Sequence, residues 1–281
     1  MIFKSVYPRD FDISLNWDTL TLCQYKCPYC YARAEKSTWG KIQTFKEISH
    51  IIDNIEGCPY SFKICLLGGE PTLHPDLKYF LTRLNNLKNV RHIELFTNFK
   101  KQIPEFINLL EKVTVIFSYH ITENPDETLF LERVKNIKNF KLFLMIPQSE
   151  EFLKKANLIY NKLKTFNPLC HYITTHDKTI SKYHFENETE DKFCLNDEII
   201  SISEVLNSKM NCFKGWQCLR NDYNLSVDGT VGNMCLPAVG NIFKGFNFND
   251  ITLDPVICNF ETCSNSCWLE TGKFNARLRK S

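Results

Sequence analysis

Three cysteines lie within eight residues near the start of the chain, in the segment CQYKCPYC that runs from Cys23 through Cys27 to Cys30. Cysteine thiolates are the usual ligands of iron–sulfur clusters, and a complete four-iron cubane takes four of them. Three local thiolates would leave one iron open to bind a small molecule directly, as catalytic metal sites do. A structural zinc site completed by a distant Cys or His is the alternative interpretation of this spacing.

The composition favours metal binding over disulfides as the reason for the cysteines. The 281 residues include 13 cysteines, and the chain has no apolar run of the length that a signal peptide or a membrane span needs. We therefore expect a cytoplasmic protein with no membrane partner, whose thiols stay reduced. With 34 basic and 32 acidic residues, the bulk charge does not favour nucleic acid, and only the basic C-terminus would support such a partner.

A glycine pair and a carboxylate follow the second apolar run, at Gly68, Gly69 and Glu70. The glycines allow a sharp turn and a close approach of the backbone to a ligand. The carboxylate can accept hydrogen bonds from an ammonium group. A turn without any ligand is the plainer interpretation of these residues alone.

Polar residues also end the later apolar runs, with Asn98 after the third and Ser118 and His120 at the end of the fourth. Ser118 and His120 are two apart on a predicted strand, so they point to the same side. A rim histidine bonded to the backbone is the alternative for His120. Met145, near the end of the fifth run, is a candidate apolar neighbour for a ligand, although core packing also explains it.

Six strand-like runs alternate with amphipathic helix-like runs, and this alternation predicts a parallel sheet. The predicted strands are 13–19, 62–67, 92–97, 113–120, 141–146 and 171–175. Thr44 and Glu47 have the spacing of a capping box at the start of one helix, and the Asp-Gly pair at 228–229 predicts a hairpin. Six units are too few for a closed eight-stranded barrel. We therefore predict an α/β fold, a partial (β/α)6 TIM-like barrel with its site at the C-terminal ends of the strands.

The CxxxCxxC spacing, with the aromatic Tyr29 before the last cysteine and the loop placed after the first strand, resembles the signature of the radical S-adenosylmethionine (radical SAM) superfamily. The Gly-Gly-Glu sequence resembles a second motif of that family. The resemblance implies a [4Fe-4S] cluster on the three cysteines whose open iron binds SAM. It also implies that the cofactor contacts come from the following residues: Tyr29, Gly68, Gly69, Glu70, Asn98, Ser118, His120 and Met145. Phe99 stands where many members have glycine after the asparagine.

Six further cysteines lie in the C-terminal region from residue 211 onward: Cys212, Cys218, Cys235, Cys258, Cys263 and Cys267. With the Asp-Gly hairpin and the sequence Gly240-Asn241-Ile242, they resemble the SPASM and Twitch extensions of this superfamily. The resemblance implies one auxiliary [4Fe-4S] cluster, held by Cys218 and Cys235 with two of Cys258, Cys263 and Cys267, and Cys212 as an alternative. A closed zinc site that staples a small domain is the competing interpretation.

We predict three regions: a radical SAM partial barrel at 1–180, a linker or lid at 181–210 and a small cysteine-rich auxiliary-cluster domain at 211–281. The resemblance implies an enzyme that reductively cleaves SAM to a 5′-deoxyadenosyl radical, with no catalytic acid or base, and that takes electrons from a flavodoxin- or ferredoxin-type donor. We expect a peptide, protein or amino-acid-bearing substrate, modified by oxidation, crosslinking, epimerisation or rearrangement. Modification or isomerisation of a nucleic-acid base or its adduct is the second hypothesis, and a metal-stabilised binding module without turnover is the third.

Overall fold

Parallel strands dominate the fold, which we describe from a computed structural model. The structure describes residues 3–5, 10–27, 30, 40–123, 127–147, 161–162, 170–175, 192–195, 198–201, 214, 217–218, 221–233, 236–254 and 256–258. Its strands are β1 (Phe3–Ser5), β2 (Ile13–Asp18), β3 (Phe62–Leu67), β4 (Val90–Thr97), β5 (Val113–His120), β6 (Phe140–Pro147), β7 (Cys170–Thr175), β8 (Lys192–Leu195), β9 (Glu198–Ser201), β10 (Gln217–Cys218), β11 (Asp222–Leu225), β12 (Thr230–Asn233), β13 (Leu236–Asn241) and β14 (Val256–Ile257).

Strands β2 to β7 pair in chain order, and every one of these pairs is parallel. The largest sheet among the described strands has the order β13-β12-β11-β2-β3-β4-β5-β6-β7, so β13 and β7 are its two edges. The predicted partial (β/α)6 barrel is therefore confirmed. Each predicted strand agrees with an observed strand to within two residues at either end.

Helices cover the outer face of this sheet. The described helices are α1 (Phe45–Glu56), α2 (Leu77–Asn86) and α3 (Glu127–Val134). The predicted capping box is present, since the Thr44 hydroxyl accepts from the Glu47 amide while the Glu47 carboxylate accepts from the Thr44 amide. None of the described helices is long and apolar enough to cross a membrane.

The hydrophobic core lies between the sheet and these helices. Alternate residues of β2, among them Leu15 and Trp17, are fully buried against the apolar face of α1, which supplies Ile48, Ile51 and Ile52. The opposite residues of the strands are more polar and line the concave face. Period-two alternation thus places apolar side chains under the helices and polar ones inside the partial barrel.

A hairpin from the predicted C-terminal region extends the barrel sheet. The Asp228-Gly229 turn joins β11 to β12 in an antiparallel pair, as the sequence predicts. Strand β11 also pairs in parallel with β2, with Tyr223 opposite Leu15. The side-chain amide of Gln43 stabilises this contact between the hairpin and the barrel. Its Nε2 lies 3.3 Å from the carbonyl oxygen of Val227, and its Oε1 accepts from Trp17 Nε1 at 2.8 Å.

Candidate functional site

The cysteine loop leaves the C-terminal end of β2 and is held there by the Gly-Gly-Glu segment. The amide of Gly69 donates to the carbonyl oxygen of Leu20 at 2.8 Å, and the amide of Glu70 donates to that of Leu22 at 2.8 Å. These two bonds fix the residues immediately before Cys23. The loop that carries the thiols is thus tied to the neighbouring strand by the motif that follows β3.

Both glycines of the motif are required by close contact. Gly68 has φ +116°, in the left-handed region, and a Cβ atom there would lie 2.1 Å from the carbonyl oxygen of Leu20. A Cβ atom on Gly69 would lie 2.1 Å from the carbonyl oxygen of Leu22. Only glycine permits this approach. The role that the structure shows for both glycines is therefore to let the two backbone segments come close together.

The three thiols of the loop lie at the rim, and Cys27 is buried while Cys23 and Cys30 are half-buried. The amide of Cys30 donates to the carbonyl oxygen of Cys27 at 3.2 Å and closes the turn between them. Cys23 Sγ accepts from the amide of Tyr25 at 3.4 Å and from Asn98 Nδ2 at 3.5 Å. Burial raises the pKa of the Cys23 thiol, and these donors oppose the rise.

The three thiols of the loop are a donor set that fits an iron–sulfur cluster. Among the described residues, no three His, Cys, Asp or Glu side chains converge on one metal position. Each thiolate of a cubane binds a different iron, so its ligands need not converge as those of a tetrahedral zinc ion must. Cys23, Cys27 and Cys30, on one loop with hydrogen-bond donors aimed at sulfur, meet the needs of such a cluster.

Glu70 lies beneath this loop and is 1% exposed. Its Oε1 accepts from the Thr72 hydroxyl at 2.6 Å, the Thr72 amide at 3.1 Å and the Thr97 hydroxyl at 2.8 Å, and its Oε2 accepts from the Asn98 amide at 2.7 Å. Burial raises the pKa of this carboxyl above its ordinary value, and the four hydrogen bonds oppose part of the rise. The carboxylate thus joins the ends of β3 and β4, and its role as an acceptor for the SAM ammonium stays a prediction.

Asn98 connects this carboxylate to the cysteine loop, because it bonds to Glu70 through its backbone amide and to Cys23 through its side chain. The next residue, Phe99, has φ +55°, in the left-handed region that favours glycine. A non-glycine residue in that region is strained by about 1–2 kcal/mol. The Phe99 ring is buried against Phe117, with 4.5 Å between ring centroids, and this packing offsets the strain.

Ser118, His120 and Met145 lie on the next strands of the same rim. Ser118 and His120 are both half-buried, while the intervening Tyr119 is 1% exposed in the core, so the predicted alternation holds. His120 Nδ1 lies 3.5 Å from Cys27 Sγ, and burial lowers the pKa of this imidazole to about 4. The backbone of Met145 is paired opposite His120. The structure thus brings His120 to the cysteine loop.

Several predicted residues lie outside the described part of the chain: Tyr29, Cys212, Cys235, Cys263 and Cys267. Of the remaining auxiliary ligands, Cys258 is buried and directly follows β14. Strand β14 pairs antiparallel with β10 and places the backbone of Cys218 opposite Val256, two residues before Cys258. The predicted regions 1–180, 181–210 and 211–281 stay a prediction.

Sequence reasoning missed three supporting residues, Gln24, Thr72 and Thr97. The two threonines satisfy the Glu70 carboxylate, and the need of any buried carboxylate for donors is the signal that points to hydroxyls near it. Gln24 Nε2 lies 3.3 Å from Asn98 Oδ1, whereas its Oε1 is buried without a hydrogen-bond partner in the described part of the chain. Nothing in the local sequence pattern distinguishes this glutamine.

Residues 19–146 match the model of the radical SAM superfamily. The matched residues include the three-cysteine loop, the Gly-Gly-Glu segment and part of the partial barrel. Residues 19–146 are therefore similar to a radical SAM domain.

Two curated proteins match part of the chain. One is 7,8-dihydro-6-hydroxymethylpterin dimethyltransferase of Methanocaldococcus jannaschii, 35% identical over 104 residues, which are 36% of this chain and 20% of that protein. The other is an S-adenosylmethionine-dependent nucleotide dehydratase of Psychrobacter lutiphocae, 27% identical over 111 residues, which are 35% of this chain and 37% of that protein. The chain thus spans well under half the length of either relative.

Solved structures share the fold over most of the chain. The protein anSMEcpe with bound AdoMet and a Cp18Cys peptide superposes with a TM-score of 0.54 at 14% identity, covering 84% of this chain and 79% of that one. SuiB of Streptococcus suis, bound to its precursor peptide SuiA, gives a TM-score of 0.58 at 13% identity, with 87% and 65% covered. At these identities the likeness is one of fold.

Proposed function

We propose that this protein is a radical SAM enzyme in which Cys23, Cys27 and Cys30 bind a [4Fe-4S] cluster and SAM completes its coordination. The observation that carries the proposal is a loop with three thiols, fixed by the Gly-Gly-Glu backbone at the C-terminal rim of a partial barrel. When bound and reduced, the cluster would supply one electron to the sulfonium of SAM, so that the S–C5′ bond breaks, methionine leaves and the 5′-deoxyadenosyl radical can take a hydrogen atom from the substrate.

The chain's own residues bind and orient the cofactor in this proposal. Gln24 Oε1, beside Cys23, is buried and has no hydrogen-bond partner among the residues that the structure describes, so it is suited to accept a hydrogen bond from SAM. Ser118 and His120 present polar groups from β5 on the same rim. We assign the remaining contacts to Tyr29, Glu70 and Met145 on the family resemblance. No side chain is required as an acid or base.

An auxiliary [4Fe-4S] cluster in the C-terminal region is the second part of the proposal. The pairing of β10 with β14 supports it, because this ladder brings the backbone of Cys218 to within two register positions of Cys258. The proposed ligands are Cys218 and Cys235 with two of Cys258, Cys263 and Cys267, and Cys212 is an alternative. This cluster would accept or conduct the electron of the substrate radical.

The substrate class we favour is a peptide, protein or other amino-acid-bearing molecule. Both solved structures cited above hold a peptide, according to their descriptions. A flavodoxin- or ferredoxin-type electron donor is the proposed protein partner, and a cytoplasmic location is expected because the cluster needs reduced thiols.

Anaerobic incubation with dithionite and SAM tests the activity. Protein reconstituted with iron and sulfide is expected to release 5′-deoxyadenosine, and the Cys27→Ala variant is expected to release none because the cluster loses a ligand. The matched control is Cys58→Ala, a buried cysteine outside the rim, which should retain cleavage. Cleavage that survives in Cys27→Ala would refute the assignment.

Substrate class is tested by hydrogen transfer. Deuterated candidate peptides and deuterated nucleosides are supplied in separate reactions, and the 5′-deoxyadenosine is analysed by mass spectrometry. We expect deuterium to appear from a peptide. Transfer from a nucleoside alone would replace the peptide hypothesis with nucleic-acid base modification.

A further inference from the structure

The side chain of Asn98 has a fixed orientation, because its Oδ1 lies 3.0 Å from the amide nitrogen of Lys100. A backbone N–H can only donate, so the atom facing it is the amide oxygen. The other atom, Nδ2, must then face Cys23 Sγ, which lies 3.5 Å away. The identity of the donor follows from the network and needs no assumption about an amide flip.

Two further contacts hold this donor in place. The backbone amide of Asn98 donates to Glu70 Oε2 at 2.7 Å, and Gln24 Nε2 donates to Asn98 Oδ1 at 3.3 Å. Asn98 is 5% exposed, so water does not compete freely for its amide. At Cys27 the neighbouring group is the His120 ring, whose role as donor or acceptor depends on its tautomer.

We propose that Asn98 is a positioning residue that donates a hydrogen bond from Nδ2 to the Cys23 sulfur and thereby raises the reduction potential of the SAM-binding cluster. The inference rests on the proposed function only in requiring that the cluster form. Hydrogen bonds to cysteine sulfur are one of the protein's controls on cluster potential, because the added electron increases negative charge on the sulfur ligands. The donor therefore favours the reduced cluster over the oxidised one.

The test measures the ratio of reduced to oxidised cluster in two reconstituted variants, and the reduced cluster is monitored by EPR in the absence of SAM. Asn98→Leu keeps the size of the side chain and removes the donor, and it should lower the ratio of reduced to oxidised cluster about tenfold at a fixed potential, which is about 59 mV for one electron. Asn108→Leu makes the same replacement in the short helix Glu105–Leu109, where Asn108 bonds to Asn136 and Lys138 and not to the cysteine loop, and its ratio should match that of the unaltered protein. Iron and sulfide content is measured in each sample.

An unchanged ratio in Asn98→Leu, or equal shifts in both variants, would overturn the proposal. If Asn98→Leu does not assemble a cluster, the unaltered protein decides the matter. It is enriched with asparagine carrying ¹⁵N only in the side-chain amide, and pulsed EPR of the reduced cluster should detect coupling to that nitrogen. Absence of the coupling would overturn the proposal. Failure to release 5′-deoxyadenosine would refute the proposed function without altering either result.

Discussion

Gly69 makes a close backbone contact at the rim, because its missing side chain lets the Gly-Gly-Glu segment run against residues 20–22. In Gly69→Ala the new Cβ atom would lie 2.1 Å from the Leu22 carbonyl oxygen, and a backbone atom cannot rotate away. We expect the segment before Cys23 to shift, with a loss of about 1–3 kcal/mol in the free energy of unfolding and reduced iron content after reconstitution. Urea unfolding and iron analysis measure both.

Gly232→Ala is the matched control, because a Cβ atom on Gly232 would meet nothing within 4 Å. It should alter the free energy of unfolding by no more than about 0.5 kcal/mol and leave iron content unchanged. A Gly69→Ala protein that matches this control in both measurements would show that the close contact does not position the loop.

His74, just after the Gly-Gly-Glu motif, is buried in its neutral form. Its Nε2 lies 2.9 Å from the Gln43 carbonyl oxygen and its Nδ1 accepts from the Asp76 amide at 3.0 Å. Burial lowers the pKa of this imidazole below 6.5, and the Gln43 bond and the Asp76 charge oppose the change. As the pH falls below 6.5 the unfolded chain binds a proton that the folded chain does not, so stability should fall.

The His74→Gln variant removes this titration. Its free energy of unfolding should depend less steeply on pH between 6.5 and 5 than that of the unaltered protein, by at most about 1.4 kcal/mol per pH unit. Urea unfolding at a series of pH values measures the slopes. Equal slopes would mean that His74 is protonated in the folded state as easily as in the unfolded chain.

At the level of elements, the contact between the barrel and the β11–β12 hairpin depends on Gln43. Gln43→Leu would leave the Trp17 indole N–H and the Val227 carbonyl oxygen without their partner in a buried place. We expect the free energy of unfolding to fall by about 1–3 kcal/mol and hydrogen exchange at the hairpin amides to become faster. Adding Trp17→Phe to the Gln43→Leu variant should lower the free energy of unfolding little further, because both substitutions remove the same hydrogen bond between Trp17 and Gln43. Additive losses would contradict the shared bond.

The elements that could be predicted from sequence are those with a local cause. Near-continuous apolar runs identified all six parallel strands, and the Thr44 and Glu47 pair identified the start of α1. The Asp-Gly turn identified the hairpin. Its parallel pairing with β2 was not predictable, because no local pattern encodes which distant strand Tyr223 and its neighbours meet. The same holds for the Gln43 and Thr97 contacts, which join residues far apart in the chain.

The candidate site shows the same division. Motif spacing located Cys23, Cys27 and Cys30, and strand ends located Glu70, Asn98 and His120 on one rim. The sequence could not reveal that Glu70 is enclosed by hydroxyl and amide donors, or that Asn98 faces sulfur. These follow from the side-chain packing of three different strand ends. The substitution of Phe99 for glycine was visible, but its left-handed backbone and aromatic packing were not.

At the level of the whole molecule, exposed lysines flank the cysteine loop. Lys26, Lys100 and Lys101 are all exposed, and Lys100 Nζ lies 5.2 Å from the centroid of the Tyr25 ring. An acidic electron donor would be drawn to such a rim. In the double variant Lys26→Glu and Lys101→Glu, SAM cleavage driven by a flavodoxin should slow about tenfold at low salt, while dithionite-driven cleavage should stay unchanged.

Lys88→Glu is the control for that experiment, since this exposed lysine lies between α2 and β4, at the end of the strand opposite to the rim. It should leave both rates unchanged. Equal slowing with Lys88→Glu would point to net charge rather than docking. Equal slowing with dithionite would point to damage at the cluster.

The central claim is that three protein thiolates hold a four-iron cluster whose remaining iron binds SAM. The most direct measurement is the EPR spectrum of the reduced, reconstituted protein before and after addition of SAM, in a variant whose C-terminal cysteines Cys235, Cys258, Cys263 and Cys267 are replaced by alanine. We predict that SAM shifts the spectrum of the remaining cluster, because it becomes a ligand. A spectrum that SAM leaves unchanged, or a site on Cys23, Cys27 and Cys30 that takes up zinc and no iron, would contradict the account.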